Sequence, residues 1–152
     1  IYKTMLKKLF LFFAIFMASV FSAMAQNSVG YYIGKLDVVK MNETSYNPVE
    51  NQEFKVSSNL KLTGKVAKIG KMPGDINISL AITETGNVLG SSTAVGGVCG
   101  KLNVLGFIPV SLILKDFHGT INGDDIEFTL KCDGLYKNSP ISAEVHYTGK
   151  KQ

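Results

Sequence analysis

The strongest constraint on this chain is its period of two. Apolar side chains fall on every second position in one run after another, and no stretch of useful length repeats at the spacing of an amphipathic helix. Ile76, Ile78, Leu80 and Ile82 alternate with Asn77, Ser79 and Thr83. Ile126, Phe128, Leu130 and Cys132 alternate with Glu127, Thr129, Lys131 and Asp133, and Ile141, Ala143, Val145 and Tyr147 with Ser142, Glu144, His146 and Thr148. Earlier, Phe54 and Val56 alternate with charged or small neighbours, as do Leu60, Leu62, Gly64 and Val66. Each run is a strand with one face in a core and one in water. The first strand, Tyr31 to Val39, is expected to turn Leu36 and Val38 inward.

Turn residues separate these runs. Asn122-Gly123 is the strongest hairpin signal, and a loop from Asn122 to Asp125 would pair Ile121 with Ile126 and Phe117 with Leu130, apolar against apolar. Met72-Pro73-Gly74-Asp75 opens one strand, Asn138-Ser139-Pro140 opens the last, and Gly86-Asn87 closes the strand ending near Glu84. Residues 86–101 are rich in Gly and Ser, and a strand is expected near Thr93 to Cys99. About eight short strands at this spacing fit a two-sheet sandwich or a closed up-and-down antiparallel barrel. An eight-stranded barrel either encloses one small ligand or fills itself with side chains.

Residues 1–25 have another design. Met5-Leu6-Lys7-Lys8 is a positive start, Leu9 to Phe21 an apolar run, and Ser22-Ala23-Met24-Ala25 a small-x-small cleavage site, which predicts a signal peptide removed before Gln26. The other reading is a membrane anchor, for which the run is short. Residues 26–152 then form one domain, exported to the periplasm or beyond, with no lipid-attachment cysteine near the cut and no transmembrane span expected in the mature chain. All sixteen basic residues are lysines, and three leave with the leader. The thirteen that remain stand against twelve acids, so the mature charge is +1, not the +4 of the whole chain. A chain without Arg or Trp lacks the bidentate fork and the best stacking platform of nucleic-acid binding, so no nucleic-acid partner is expected.

With these residues in view, the chain resembles the calycin-like β-barrel proteins exported by Bacteroidetes. The resemblance rests on Tyr32-Ile33-Gly34-Lys35-Leu36, Lys68-Ile69-Gly70-Lys71-Met72-Pro73-Gly74-Asp75-Ile76, Asn122-Gly123-Asp124-Asp125-Ile126 and Tyr147-Thr148-Gly149-Lys150, and spans nearly all of residues 29–150. It implies a lipocalin-related, mostly antiparallel barrel. It implies no activity, cofactor or functional residue.

The chain offers few residues for chemistry. His118 and His146 both fall between inward positions and should face solvent as surface histidines without a role. Asp124-Asp125 is a turn pair with too few oxygens for calcium. Gly96 to Lys101 has the wrong spacing for a phosphate loop, and no nucleophile elbow is present. No enzyme activity, metal or cofactor is therefore expected. Lys61, Lys65, Lys68 and Lys71 form a small basic run, read as a solvated face. Cys99 and Cys132 are either a disulfide, which export would permit, or two core thiols.

Two functions from different classes follow. Phe54, Val56, Leu62, Ile78, Leu80, Phe128, Leu130, Val145 and Tyr147 are the candidate interior, either lining a site for a small apolar ligand or filling the barrel. Alternatively the chain is a protein-interaction module, an inhibitor or envelope assembly factor. It would then use its loops or the segment 104–114, apolar on both faces, with Phe107 and Ile108 as the partner contacts.

Overall fold

The computed structural model describes residues 27–152, so the expected leader and its cleavage site lie outside the described residues. The described chain is ten strands: β1 (Gly30–Met41), β2 (Thr44–Ser45), β3 (Val49–Val56), β4 (Lys61–Val66), β5 (Gly74–Thr85), β6 (Val88–Ser91), β7 (Val98–Val104), β8 (Ile108–Asn122), β9 (Asp125–Tyr136) and β10 (Ser139–Lys151). Eight of them close an antiparallel barrel in the order β1-β3-β4-β5-β7-β8-β9-β10, and β10 pairs back onto β1 from Tyr32↔Lys151 to Met41↔Ala143. Of the two architectures the alternation allowed, the chain adopts the closed one. Closure leaves no long open edge to recruit another chain. Among the described residues no helix is long and apolar enough to cross a membrane.

The two remaining strands are short. β2 extends the end of β1 through Lys40↔Ser45 and Met41↔Thr44. β6 shares with β7 the slot between β5 and β8: β6 pairs with the far half of β5 at Ile82–Thr85, β7 with its near half at Gly74–Ile78. They are two halves of one strand interrupted by an excursion at residues 92–97. The strand expected near Thr93 to Cys99 therefore begins later, at Val98. The intervening Gly and Ser residues leave the wall, tied back by Gly96 N–H to Leu114 O (2.9 Å) and Leu114 N–H to Gly97 O (2.7 Å).

Bulges break the period of two. One, between Val98 and Gly100, leaves Cys99 and Gly100 both buried, and two others lie on β1 and β8. At Asp37 the β1–β10 register shifts, so Leu36 and Val39 both face inward while Val38 is 38% exposed. The expected inward Val38 is thus corrected, because one extra residue reverses the alternation beyond it. At Lys115 the β8–β9 register shifts the same way, and Leu114 and Phe117 both face inward. Beyond this bulge the hairpin has the expected register, Ile121↔Ile126 and Phe117↔Leu130. Pairing continues one step further to Asn122↔Asp125, so Gly123 and Asp124 alone make the turn. Gly123, at φ 62°, occupies the left-handed position of that two-residue turn. The last hairpin turns at Lys137 and Asn138, with φ of 49° and 64°, so Ser139 and Pro140 already belong to β10.

The segment 104–114 is a turn followed by a one-sided strand. Val110, Leu112 and Leu114 are buried, whereas on the outward face Pro109 and Ser111 are exposed and Ile113 is half-buried.

Candidate functional site

The interior comes first. All nine candidate residues lie in the core, each no more than 3% exposed. Phe54 on β3 meets Phe128 on β9 with ring centroids 5.2 Å apart and Tyr147 on β10 at 4.6 Å; Phe128 meets Tyr147 at 5.3 Å and Phe117 on β8 at 5.5 Å. β3 and β8 stand on opposite sides of the eight-strand ring, so these rings bridge the lumen. Each buried ring contributes about 1.5–3 kcal/mol through its area, and edge-to-face pairs add to that.

Glycines make the room. A Cβ on Gly64 would lie 2.3 Å from the Phe54 ring, and one on Gly149 would lie 2.5 Å from the Tyr147 hydroxyl. The Tyr147 hydroxyl donates to Gln52 O (2.8 Å), and Gln52 Nε2 donates to Lys65 O (2.8 Å) and Glu53 O (3.0 Å), so this buried polar group has partners. Burial holds the Tyr147 phenol well above its ordinary pKa, with the Glu53 carboxylate adding to it.

The barrel has two ends. One carries residues 27–29 and the turns at 57–60, 86–87 and 123–124. There the Glu84 carboxylate accepts the amides of Ser28 (2.7 Å) and Asn27 (3.1 Å), and the Tyr32 hydroxyl donates to Ser28 O (2.6 Å). Burial, then the Glu84 and Asp124 charges, push the Tyr32 pKa up to about 12.

The other end carries the turns at 42–48, 67–73, 105–107 and 137–138. At its apex Leu105 is 70% and Phe107 74% exposed, and Leu135 at the close of β9 is 63% exposed. Leu105 N–H donates to Pro73 O at 3.0 Å, which sets this apex beside the turn bearing Lys68 and Lys71. Leu105 has φ 55° and Gly106 φ 84°. A tight hairpin wants left-handed residues at both positions and ordinarily takes Asn-Gly. Leu there costs about 1–2 kcal/mol in Cβ crowding. Of the two expected partner contacts, Phe107 is fully presented, while Ile108 packs partly against the core. Leu105 and Leu135 were not singled out from the sequence. Leu105 leaves the wall through its left-handed turn backbone, whereas Leu135 lies on the outward parity of β9, three residues beyond inward Cys132.

His118 faces outward, with Nδ1 2.9 Å from Asp116 Oδ2. His146 also points outward but is only 22% exposed, held between Asp37 on β1 and Glu127 on β9. The Asp37 bulge brings that carboxylate alongside. Both imidazole nitrogens are already engaged, on opposite sides of the ring. Among the described residues no three His, Cys, Asp or Glu side chains are arranged to hold a metal ion.

Cys99 and Cys132 are both buried and free, and the Cys99 thiol also reaches Leu112 O at 3.6 Å. β8 runs between their strands. Their backbones are therefore about 9 Å apart by strand spacing, more than a disulfide spans without backbone movement. The neighbouring Cys99 thiol, together with burial, pushes the Cys132 thiol well up.

Comparison of the chain with family models, with curated proteins and with solved structures finds no match in any of the three.

Proposed function

We propose that the chain is an exported, non-catalytic β-barrel that works as a docking module, presenting the β7–β8 apex to a partner surface. The observation that carries this reading is Leu105: an apolar side chain, 70% exposed, on a backbone position that disfavours it. Its strain is not repaid by burial within the molecule, and strain of this kind gathers at functional sites. Phe107 stands beside it, 74% exposed. Closure of the wall supports the calycin-like resemblance, and the three-part leader pattern supports export.

The alternative, a small apolar ligand inside the barrel, draws on the same nine residues that pack against one another. The ring contacts among Phe54, Phe128 and Tyr147, with Gly64 leaving space for a ring already present, favour packing as their role. Among the described residues the buried polar side chains are Ser28 and Gln52, an uncharged pair that favours no acid–base chemistry.

A photo-crosslinking side chain at position 107, introduced in the producing cell, tests the docking reading. Adducts are expected at 107 and not at the outward control position 63. Equal labelling at the two positions overturns it.

A further inference from the structure

Resting on the docking reading, we propose that the surface met by this apex is a lipid bilayer with anionic headgroups: Leu105 and Phe107 enter the boundary between headgroup and acyl chain while Lys68, Lys71 and Lys137 face lipid phosphates.

The barrel is asymmetric in charge. The four turns at the apex end hold three lysines and one acid, Glu43. The turns and N-terminal segment at the opposite end hold no lysine and one acid, Asp124. Lys68, Lys71 and Lys137 are exposed and form no salt bridge among the described residues; Asp75, beside Lys68, is paired with Lys65, and the Lys137 ammonium lies over the Tyr136 ring at 5.4 Å. The apolar pair projects from the hairpin that lies against the Lys68–Lys71 turn, so apolar and positive groups share one convex end.

That combination is what an interfacial anchor needs. Apolar side chains alone bind a bilayer marginally, and a few lysines alone bind weakly and in a salt-sensitive way; together they give stable but reversible attachment. Lysine is a compact point charge on a flexible stem, suited to a fluid layer of phosphates rather than to one fixed carboxylate geometry. The position of Leu105 fits as well. Asn would relieve the backbone at φ 55°, yet it would remove the apolar tip.

Sedimentation with lipid vesicles tests the proposal. The protein should bind vesicles of equal parts phosphatidylglycerol and phosphatidylcholine about tenfold more tightly than pure phosphatidylcholine, with the preference fading in high salt. Phe107→Ser should weaken binding to the mixed vesicles about fivefold or more. Replacing Lys68, Lys71 and Lys137 by Gln should abolish the preference for phosphatidylglycerol. Leu105→Asn should weaken binding while raising the melting temperature by about 3 °C or more, because it relieves the turn. The stability gain shows that a loss of binding is not a loss of fold. Equal binding to both vesicle types, or unchanged binding by Leu105→Asn and Phe107→Ser, overturns the proposal. Protein adducts at position 107 without vesicle binding would remove the bilayer and leave the docking reading standing. No adducts and no vesicle binding would remove both.

Discussion

The Nδ1 atom of His146 lies 2.5 Å from Asp37 Oδ1, across the β1–β10 seam that closes the barrel. Its other nitrogen lies 2.9 Å from Glu127 Oε1 on β9, so one imidazole ties three neighbouring strands. Burial works against the charged ring, but the hydrogen bonds to Asp37 and Glu127 outweigh it and hold the pKa above the ordinary histidine value.

A pH dependence follows from that direction. The folded chain holds the proton more tightly than the unfolded chain, so the contribution is fully present below the ordinary histidine pKa and is lost as pH rises through the raised folded value. Wild type should exceed His146→Gln by about 1 kcal/mol below the ordinary histidine pKa, with the difference shrinking as pH rises through the raised folded value. His118 is present in both proteins and cancels. Urea melts across this range provide the measurement; a gap that does not change with pH would show that the imidazolium contributes nothing.

The contact between Gly64 and Phe54 should be measurable as a coupling. Gly64→Ala places a methyl group against the ring, where 2.3 Å separates the new Cβ from Phe54 Cδ1, and should cost about 1–3 kcal/mol. Phe54→Ala should cost about 3–5 kcal/mol. With the ring removed, the added methyl should cost little, so the double variant should be at least about 1 kcal/mol more stable than the sum of the two losses predicts. Strict additivity would mean that the ring does not occupy that space.

Cys99 and Cys132 should remain thiols even in exported protein. Denaturation without reductant followed by alkylation should label both, and a reducing agent should leave the melting temperature unchanged. A mass lower by two hydrogens, with melting sensitive to reductant, would mean that the wall yields enough to close the roughly 9 Å gap set by strand spacing.

Much of the fold was legible because burial in a closed sheet is written in every second residue. Ile76 to Ile82 and Ile126 to Cys132 face inward as their alternation requires. The register of the late hairpin followed from matching Ile121 to Ile126. Where reading failed, one extra residue was responsible. Asp37 and Lys115 each reverse the alternation, and a polar residue between apolar ones looks the same whether it bulges or not. The excursion at 92–97 was illegible for a related reason, since its Gly and Ser residues have no face preference. The exposed apex was half legible. Phe107 stood out in a segment apolar on both faces, but the exposure of Leu105 depends on a left-handed backbone that leucine does not advertise. The His146 clamp joins residues 109 positions apart through a bulge, and spacing carries no trace of it.

The proposed function requires a barrel occupied by its own side chains, with the docking surface on its rim. Native mass spectrometry of protein purified from the producing cell without detergent tests this most directly. The expected mass is that of the bare processed chain, with no small molecule released on denaturation. An apolar molecule that co-purifies in equal number with the chain, and is lost when Phe54 or Tyr147 is replaced by a residue that keeps the fold, would contradict it.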